Sequence, residues 1–403
     1  LTTDPYELVS VSGGDNIHSV YDNHLTFYTT EMQQIWESDS HVTILGGRLQ
    51  YGDAKTTNLE DTPSSLASLF NVPAAQQIEN SEFKRYAVYG YHQWQIFDSL
   101  ELIGGVSYDL LTQPENLLAP PISAKPDSIA QLSPKAGVIW TPLQNTTARF
   151  AYARTLGDNT PNQSTQLESS QVAGFTQTFR DLISSYSTEQ TGVGQNEIWG
   201  FSLEQKFSTE TYVALGAGIV NSTVNQTIGA FDGLWDFNNY AVSSSLRERL
   251  EYREEFAQLT LNQLVSRDWS LGAQYKISST KLNDNYVDVP DTIILSDFQP
   301  RRNLTATLHR IGLFAIYNNP CGFFAKLDAS WYAQNNQEYT PAEPGDNFWQ
   351  MDAFAGYRFW HRKAELTFGV LNLTDQNYQL NPLNNYSELP RERTFLTQLR
   401  ISF

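Results

Sequence analysis

The chain has 403 residues, 40 % of them hydrophobic, 13 % aromatic and only 17 % charged, against about 25 % charged in an average soluble domain. Asp and Glu (44) outnumber Lys and Arg (26), and the net charge of -18 speaks against a nucleic-acid partner. With Cys321 as its one cysteine the chain forms no intrachain disulfide and no cysteine-built metal centre, and no apolar run reaches the ~18 residues of a membrane-spanning helix.

Taken from the N-terminus, period-two alternation predicts strands at residues 5–11, 24–36, 41–51, 84–97, 99–110, 131–141, 145–155 and 196–206. It continues at 209–223, 252–265, 268–279, 301–317, 321–333, 346–359, 361–373 and 393–403. In the fifth of these, Leu100, Leu102, Gly104, Val106, Tyr108 and Leu110 share one face, and Glu101, Ile103, Gly105, Ser107 and Asp109 the other. The strands beginning near Trp269 and Phe323 repeat the pattern, with aromatics at the ends of the apolar face. A soluble sandwich would turn that face into its core; a membrane barrel would turn it to lipid.

The connections separate the two cases. Tight ones, at 37–40, 98, 142–144, 207–208, 266–267, 318–320 and 360, alternate with long ones at 52–83, 111–130, 156–195, 224–251, 280–300, 334–345 and 374–392. A sandwich has no reason to sort its loops by parity, whereas an outer-membrane barrel has short turns on one rim and long loops on the other. The predicted fold is therefore all-β: a transmembrane antiparallel up-and-down β-barrel of about sixteen strands, with short periplasmic turns and long extracellular loops. It is expected in the outer membrane of a Gram-negative bacterium, surrounded by lipid and lipopolysaccharide. The last strand sets Phe395, Leu399, Ile401 and the terminal Phe403 on one face, the kind of signal that barrel assembly machinery reads.

Several segments resemble TonB-dependent outer-membrane receptors. The nearest is Asn372-Leu373-Thr374-Asp375-Gln376-Asn377-Tyr378, followed by Pro390-Arg391-Glu392-Arg393-Thr394-Phe395 and the closing Leu399-Arg400-Ile401-Ser402-Phe403. Thr374 stands where that family has an aromatic residue, and Arg391-Glu392 where Gly is usual. Leu132-Ser133-Pro134-Lys135-Ala136-Gly137-Val138 and Phe150-Ala151-Tyr152-Ala153-Arg154 are also similar to its barrel segments. The resemblance implies solute transport through a polar lumen. A plugless porin or polymer-export barrel, or an adhesive surface protein, are the alternatives. Neither the family's plug domain nor its TonB box precedes the first predicted strand, so residues 1–403 are expected to be a single barrel domain without a plug, working with a plug-bearing or periplasmic partner. Asp291-Thr292-Ile293-Ile294-Leu295 looks box-like but falls in a predicted extracellular loop.

No GxSxG elbow or Walker loop is present, and the six histidines have no metal-binding spacing, so neither catalysis nor a cofactor is expected. The candidate transport residues are the charges on the polar face: Arg48, Glu101, Asp109, Arg149, Glu204, Lys276, Lys326, Asp328, Asp352, Arg358, Glu365 and Arg400. Unpaired in a dry interior they would be costly, so the lumen must be wet or the charges matched. Phe175, Phe179, Trp235, Asp284 and Asp288 are the candidate ligand-binding residues of the loops. Residues 156–195 form the loop expected to fold inward, since Phe175, Phe179, Leu182 and Ile183 are too apolar to stand in water. Around His309 and Arg310 the apolar parity reverses, from Leu304, Ala306 and Leu308 to Ile311, Leu313 and Ala315, which predicts a β-bulge.

Overall fold

The structure, a computed structural model, describes residues 6–12, 15–61, 76–118, 120–157, 166–179, 182–183, 192–232, 242–290, 299–339, 342–361 and 363–402. Its strands are β1 (Tyr6–Ser12), β2 (Asp15–Glu37), β3 (His41–Asp61), β4 (Gln76–Phe97), β5 (Leu100–Asn116) and β6 (Ser123–Leu143). They continue with β7 (Thr146–Leu156), β8 (Gln171–Val172), β9 (Phe175–Thr176), β10 (Gln195–Lys206), β11 (Thr211–Asp232) and β12 (Val242–Val265). The last six are β13 (Trp269–Tyr286), β14 (Arg301–Asn318), β15 (Phe323–Gln337), β16 (Asn347–Phe359), β17 (Ala364–Leu371) and β18 (Thr394–Ile401). All but β8 and β9 belong to one antiparallel sheet of 16 strands, each paired with the next in sequence. The up-and-down meander read from the alternation is thus the fold. Among the described residues no ladder joins β18 back to β1.

Outward side chains mark a lipid belt. On β12, Leu259 and Leu261 are exposed beside Ala257, and above them the same face turns to Glu255, Arg253 and Glu251. On β15 and β16 the belt runs from Phe323 and Tyr357 near the tight turns to Trp331 and Trp349, which lie opposite each other with ring centroids 6.5 Å apart. Eight residue steps at about 3.4 Å make ~27 Å along a tilted strand, the height of an outer-membrane apolar band with its aromatic girdles. Trp269 and Tyr317, paired at 4.9 Å, belong to the girdle beside the tight turns.

The strands run far beyond this belt. β12 extends to Val242 rather than starting at 252, and β3 reaches Asp61 rather than stopping at 51. Outside the bilayer the outward face turns polar, so the alternation fades while the backbone ladder goes on. Asp284, expected in a loop, is consequently an inward residue of β13, opposite Arg302.

The predicted bulge at His309 and Arg310 is absent. Both keep continuous register with β13 and β15 (His309 with Ile277 and Ala333, Arg310 with Lys276 and Tyr332). Register shifts fall instead at Gln95/Phe97, Pro114/Asn116 and Trp140/Leu143. Parity reverses on β14 because the burying environment changes sides: Leu304, Ala306 and Leu308 face inward beneath other parts of the chain, whereas Ile311, Leu313 and Ala315 face the belt.

Candidate functional site

The inner face of the wall is covered, on the side of the long connections, by two segments of the chain itself. The first follows β7. Residues 171–176 form a two-stranded hairpin whose turn residues, Ala173 (φ 49°) and Gly174 (φ 88°), are both left-handed, as a two-residue type I′ turn requires. Val172 and Ala173 are buried against Tyr89, Tyr91, Ile103, Ala151 and Ala153 on the inner wall. Two wall glycines make room for it. A Cβ on Gly200 would overlap the Phe175 ring, and one on Gly137 would lie 2.9 Å from the Ala173 Cβ.

Polar contacts fix the same segment. Lys135 on β6 donates to Ser107 Oγ at 2.7 Å and pairs with Glu168 at 3.3 Å. Tyr91 Oη donates to Glu168 Oε1 at 2.7 Å, and Gln177 Nε2 donates to Tyr91 Oη at 3.1 Å. From β2, the Glu31 carboxylate accepts the backbone N–H groups of Leu167 (2.9 Å) and Glu168 (3.0 Å) and the Tyr89 hydroxyl (2.9 Å). One segment reaching β2, β4, β6 and β7 at once requires a concave wall.

The second covering segment, residues 372–391, was read from sequence as an extracellular loop. It begins at Asn372, buried and left-handed (φ 51°), a conformation Asn tolerates. Asn372 N–H donates to Asp352 Oδ1 (2.8 Å), its Oδ1 accepts from Gln376 N–H (2.8 Å), and its Nδ2 donates to the carbonyls of Gln376 and Pro390. That staple gives a physical reason for the motif around Asn372 and Pro390. Further on, Tyr378 stacks on Phe348 (5.1 Å), which stacks on Tyr332 (5.4 Å), with the guanidinium of Arg391 over Tyr378 and that of Arg310 over Tyr332. Asn384 Nδ2 donates to Thr280 Oγ1 and the Ala306 carbonyl, and Gln334 Nε2 donates to Asn384 Oδ1.

The segments meet where Ile183 and Leu383 join Leu250, Leu282 and Leu304 of the wall. Around this contact lie two cavities. An outer one of about 920 Å³ lies against Glu343, Tyr386, Glu388 and Arg391; a smaller one of about 470 Å³ lies between the 166–179 segment and β11–β13. Leu182 and Asn385 border both.

Most of the predicted lumen charges are matched rather than idle. Arg149 pairs with Glu204; Lys326 with Asp328 and Arg358 with Glu365 are each at 2.7 Å, and Lys276 is 3.5 Å from Glu254. Asp109 pairs at 2.8 Å with Arg85, a partner not singled out in the sequence. Asp352 serves the Asn372 staple, Arg48 is buried, Glu101 is half-buried, and Arg400 lies opposite Glu365 in the β17–β18 ladder. Phe175, on the second strand of the hairpin, packs its ring against Gly200 of the wall, and Phe179 borders the smaller cavity. Asp288 binds Arg247 at 2.6 Å, which holds its carboxyl below the usual range. Trp235, the box-like stretch at 291–295 and Phe403 lie outside the described residues.

Above the belt, Glu248 on β12 and Asp284 on β13 face each other on the inner wall. Gln226 Nε2 donates to Glu248 at 2.6 Å while its Oε1 accepts Gly192 N–H at 2.9 Å, and Arg302 binds Asp284. Burial, and then the Asp284 charge, push the Glu248 carboxyl up to about 7.

With this geometry in view, residues 2–167 match the family model described as TonB dependent receptor-like, beta-barrel. The chain resembles a TonB-dependent receptor barrel. The copper transporter OprC matches with a TM-score of 0.56 and 14 % identity, over 97 % of this chain and 58 % of that one. The ferric citrate transporter FecA, unliganded, gives 0.55 and 14 % over 99 % and 57 %. The ferric yersiniabactin uptake receptor FyuA from Yersinia pestis gives 0.52 and 13 % over 99 % and 57 %. The chain thus spans somewhat more than half the length of these structures, and at such identities the likeness is one of fold. A comparison with curated proteins finds no match.

Proposed function

We propose that the chain forms the wall and mouth of an outer-membrane transport channel related to TonB-dependent receptors, passing a solute through a polar lumen that its own inward segments close on the extracellular side. The observation that carries this reading is the way the 166–179 segment is held. Its hairpin tip packs Val172 and Ala173 on the wall, while the flanking residues 166–168 and Gln177 are held by hydrogen bonds and one ion pair that water or a solute can compete for. Toward the tight turns, the paired charges Arg149–Glu204, Lys326–Asp328 and Arg358–Glu365 keep 26–43 % of their side-chain surface exposed, which supports a wet lumen there.

The belt contacts lipid, and the acidic outer strands meet lipopolysaccharide through divalent cations. The last strand serves the assembly machinery, and a plug-bearing or periplasmic partner acts from the tight-turn side. Solute release from proteoliposomes tests the proposal. The full chain should release a small polar solute slowly and the Glu168→Ala variant several-fold faster. Equal rates, both at the lipid background, would favour the adhesive alternative.

A further inference from the structure

The smaller cavity is bordered by two buried acceptors that receive no hydrogen bond. Gln177, on the inward segment, and Glu254, on β12, both border it, and they are only 4 % and 6 % exposed. Each has an acceptor oxygen, Oε1 in both cases, with no hydrogen-bond partner, that of Glu254 having only the Lys276 ammonium 3.5 Å away. A buried acceptor without a donor costs free energy, more so on a carboxylate, and two on opposite sides of one cavity call for an occupant with at least two donors. The other Gln177 and Glu254 groups are engaged: Gln177 Nε2 with Tyr91 and Ser169, Glu254 Oε2 with Tyr252.

Charge narrows the occupant. Both carboxylates bordering the cavity are balanced, Glu168 by Lys135 at 3.3 Å and Glu254 by Lys276 at 3.5 Å, and Lys276 also lies over the Phe256 ring at 4.9 Å. A cationic occupant would crowd Lys276 and an anionic one the two carboxylates. Ser170, Thr176 and Thr178 add hydroxyl groups to the border. The volume of about 470 Å³ is toward the low end of small-molecule pockets, roughly 300–1,000 Å³.

We infer that this cavity is a binding subsite for a neutral polyhydroxylated solute of one or two sugar rings, whose hydroxyls donate to Gln177 Oε1 and Glu254 Oε1. The inference rests on the transport reading for its biological sense, but binding is measured without transport.

Isothermal titration of the full chain in a non-sugar detergent, with glucose, glucosamine and glucuronate, presents one ring in three charge states. Glucose should bind saturably and the two charged sugars about tenfold more weakly or not at all. Gln177→Ala and Glu254→Gln should each weaken glucose binding about tenfold, while Arg253→Gln on the outer face should leave it unchanged. Heat-modifiable migration reports whether each variant keeps its fold; should Gln177→Ala lose it, Glu254→Gln decides alone. Absence of saturable binding, preference for a charged sugar, or indifference to the substitutions in folded protein would overturn the subsite. Binding in a protein that conducts nothing would leave the subsite standing and sink transport.

Discussion

Lys135 on β6 and Glu168 on the inward segment form an ion pair at 3.3 Å in which the side chains are 0 % and 3 % exposed. Breaking one partner of such a pair strands the other charge, a loss of about 3–5 kcal/mol, whereas replacing both by apolar residues of similar size is close to neutral. Glu168→Ala should therefore release the 166–179 segment to limited proteolysis, and the Lys135→Met/Glu168→Leu double variant should not. Equal cleavage of the single and double variants would mean that the pair does not hold the segment.

The second inward segment depends on a stack. Tyr378 is buried between Phe348 and Arg391, and its hydroxyl donates to the Leu389 carbonyl at 3.0 Å. Tyr378→Ala should cost about 3–5 kcal/mol of the stability of this segment, with Tyr378→Phe losing about 1 kcal/mol for the hydroxyl. Protease sensitivity between Gln376 and Arg391 should rank the variants in that order.

Acidity should act through Glu248. Its folded pKa of about 7 exceeds the ordinary value of 4.5, so the native state holds a proton there that the unfolded state has released. Stability is then highest below about 4.5 and falls as pH rises through about 7. Asp284, Arg302 and Tyr286 are the ionisable groups facing it. Thermal unfolding should be lower at about pH 8 than at about pH 5, and Glu248→Gln should flatten that difference. An unchanged slope in the variant would assign it to other groups.

The orientation has a built-in reporter. Cys321 is exposed in the tight turn between β14 and β15. An impermeant thiol reagent should leave it unmodified on intact cells and label it once the outer membrane is permeabilised. Labelling of intact cells would invert the topology.

How much of this was legible in the sequence depends on what each residue faces. Alternation such as Leu100 to Leu110 revealed strands wherever one face met lipid. It faded at Asp53, Asp284 and Arg247, which lie beyond the belt where no strand face meets lipid. The inward placement of 166–179 and 182–183 was readable from Phe175 and Ile183, but the hairpin was not, because Ala173-Gly174 lacks the Asn or Asp that usually marks a type I′ turn. Lumen charges such as Arg358 and Glu365, paired across β16–β17, followed from strand parity. Arg85 escaped because it shares the inward face of β4 with Ala87, Tyr89 and Tyr91, which reads as apolar, and Lys135 because its partner comes from the inward segment. Residues 374–392 read as an extracellular loop because they form a long connection between two predicted strands, and only the fold places Asn384 against Thr280, 104 positions away.

The central claim, that the chain's own inward segments close a membrane-spanning lumen, is tested most directly by planar-bilayer recording of the full chain beside a variant lacking residues 166–179. The account predicts brief, rare openings for the full chain and a steady, larger ion current for the variant, with heat-modifiable migration kept in both. A full chain that conducts steadily and as well as the variant, or a folded variant that stays silent, would contradict it.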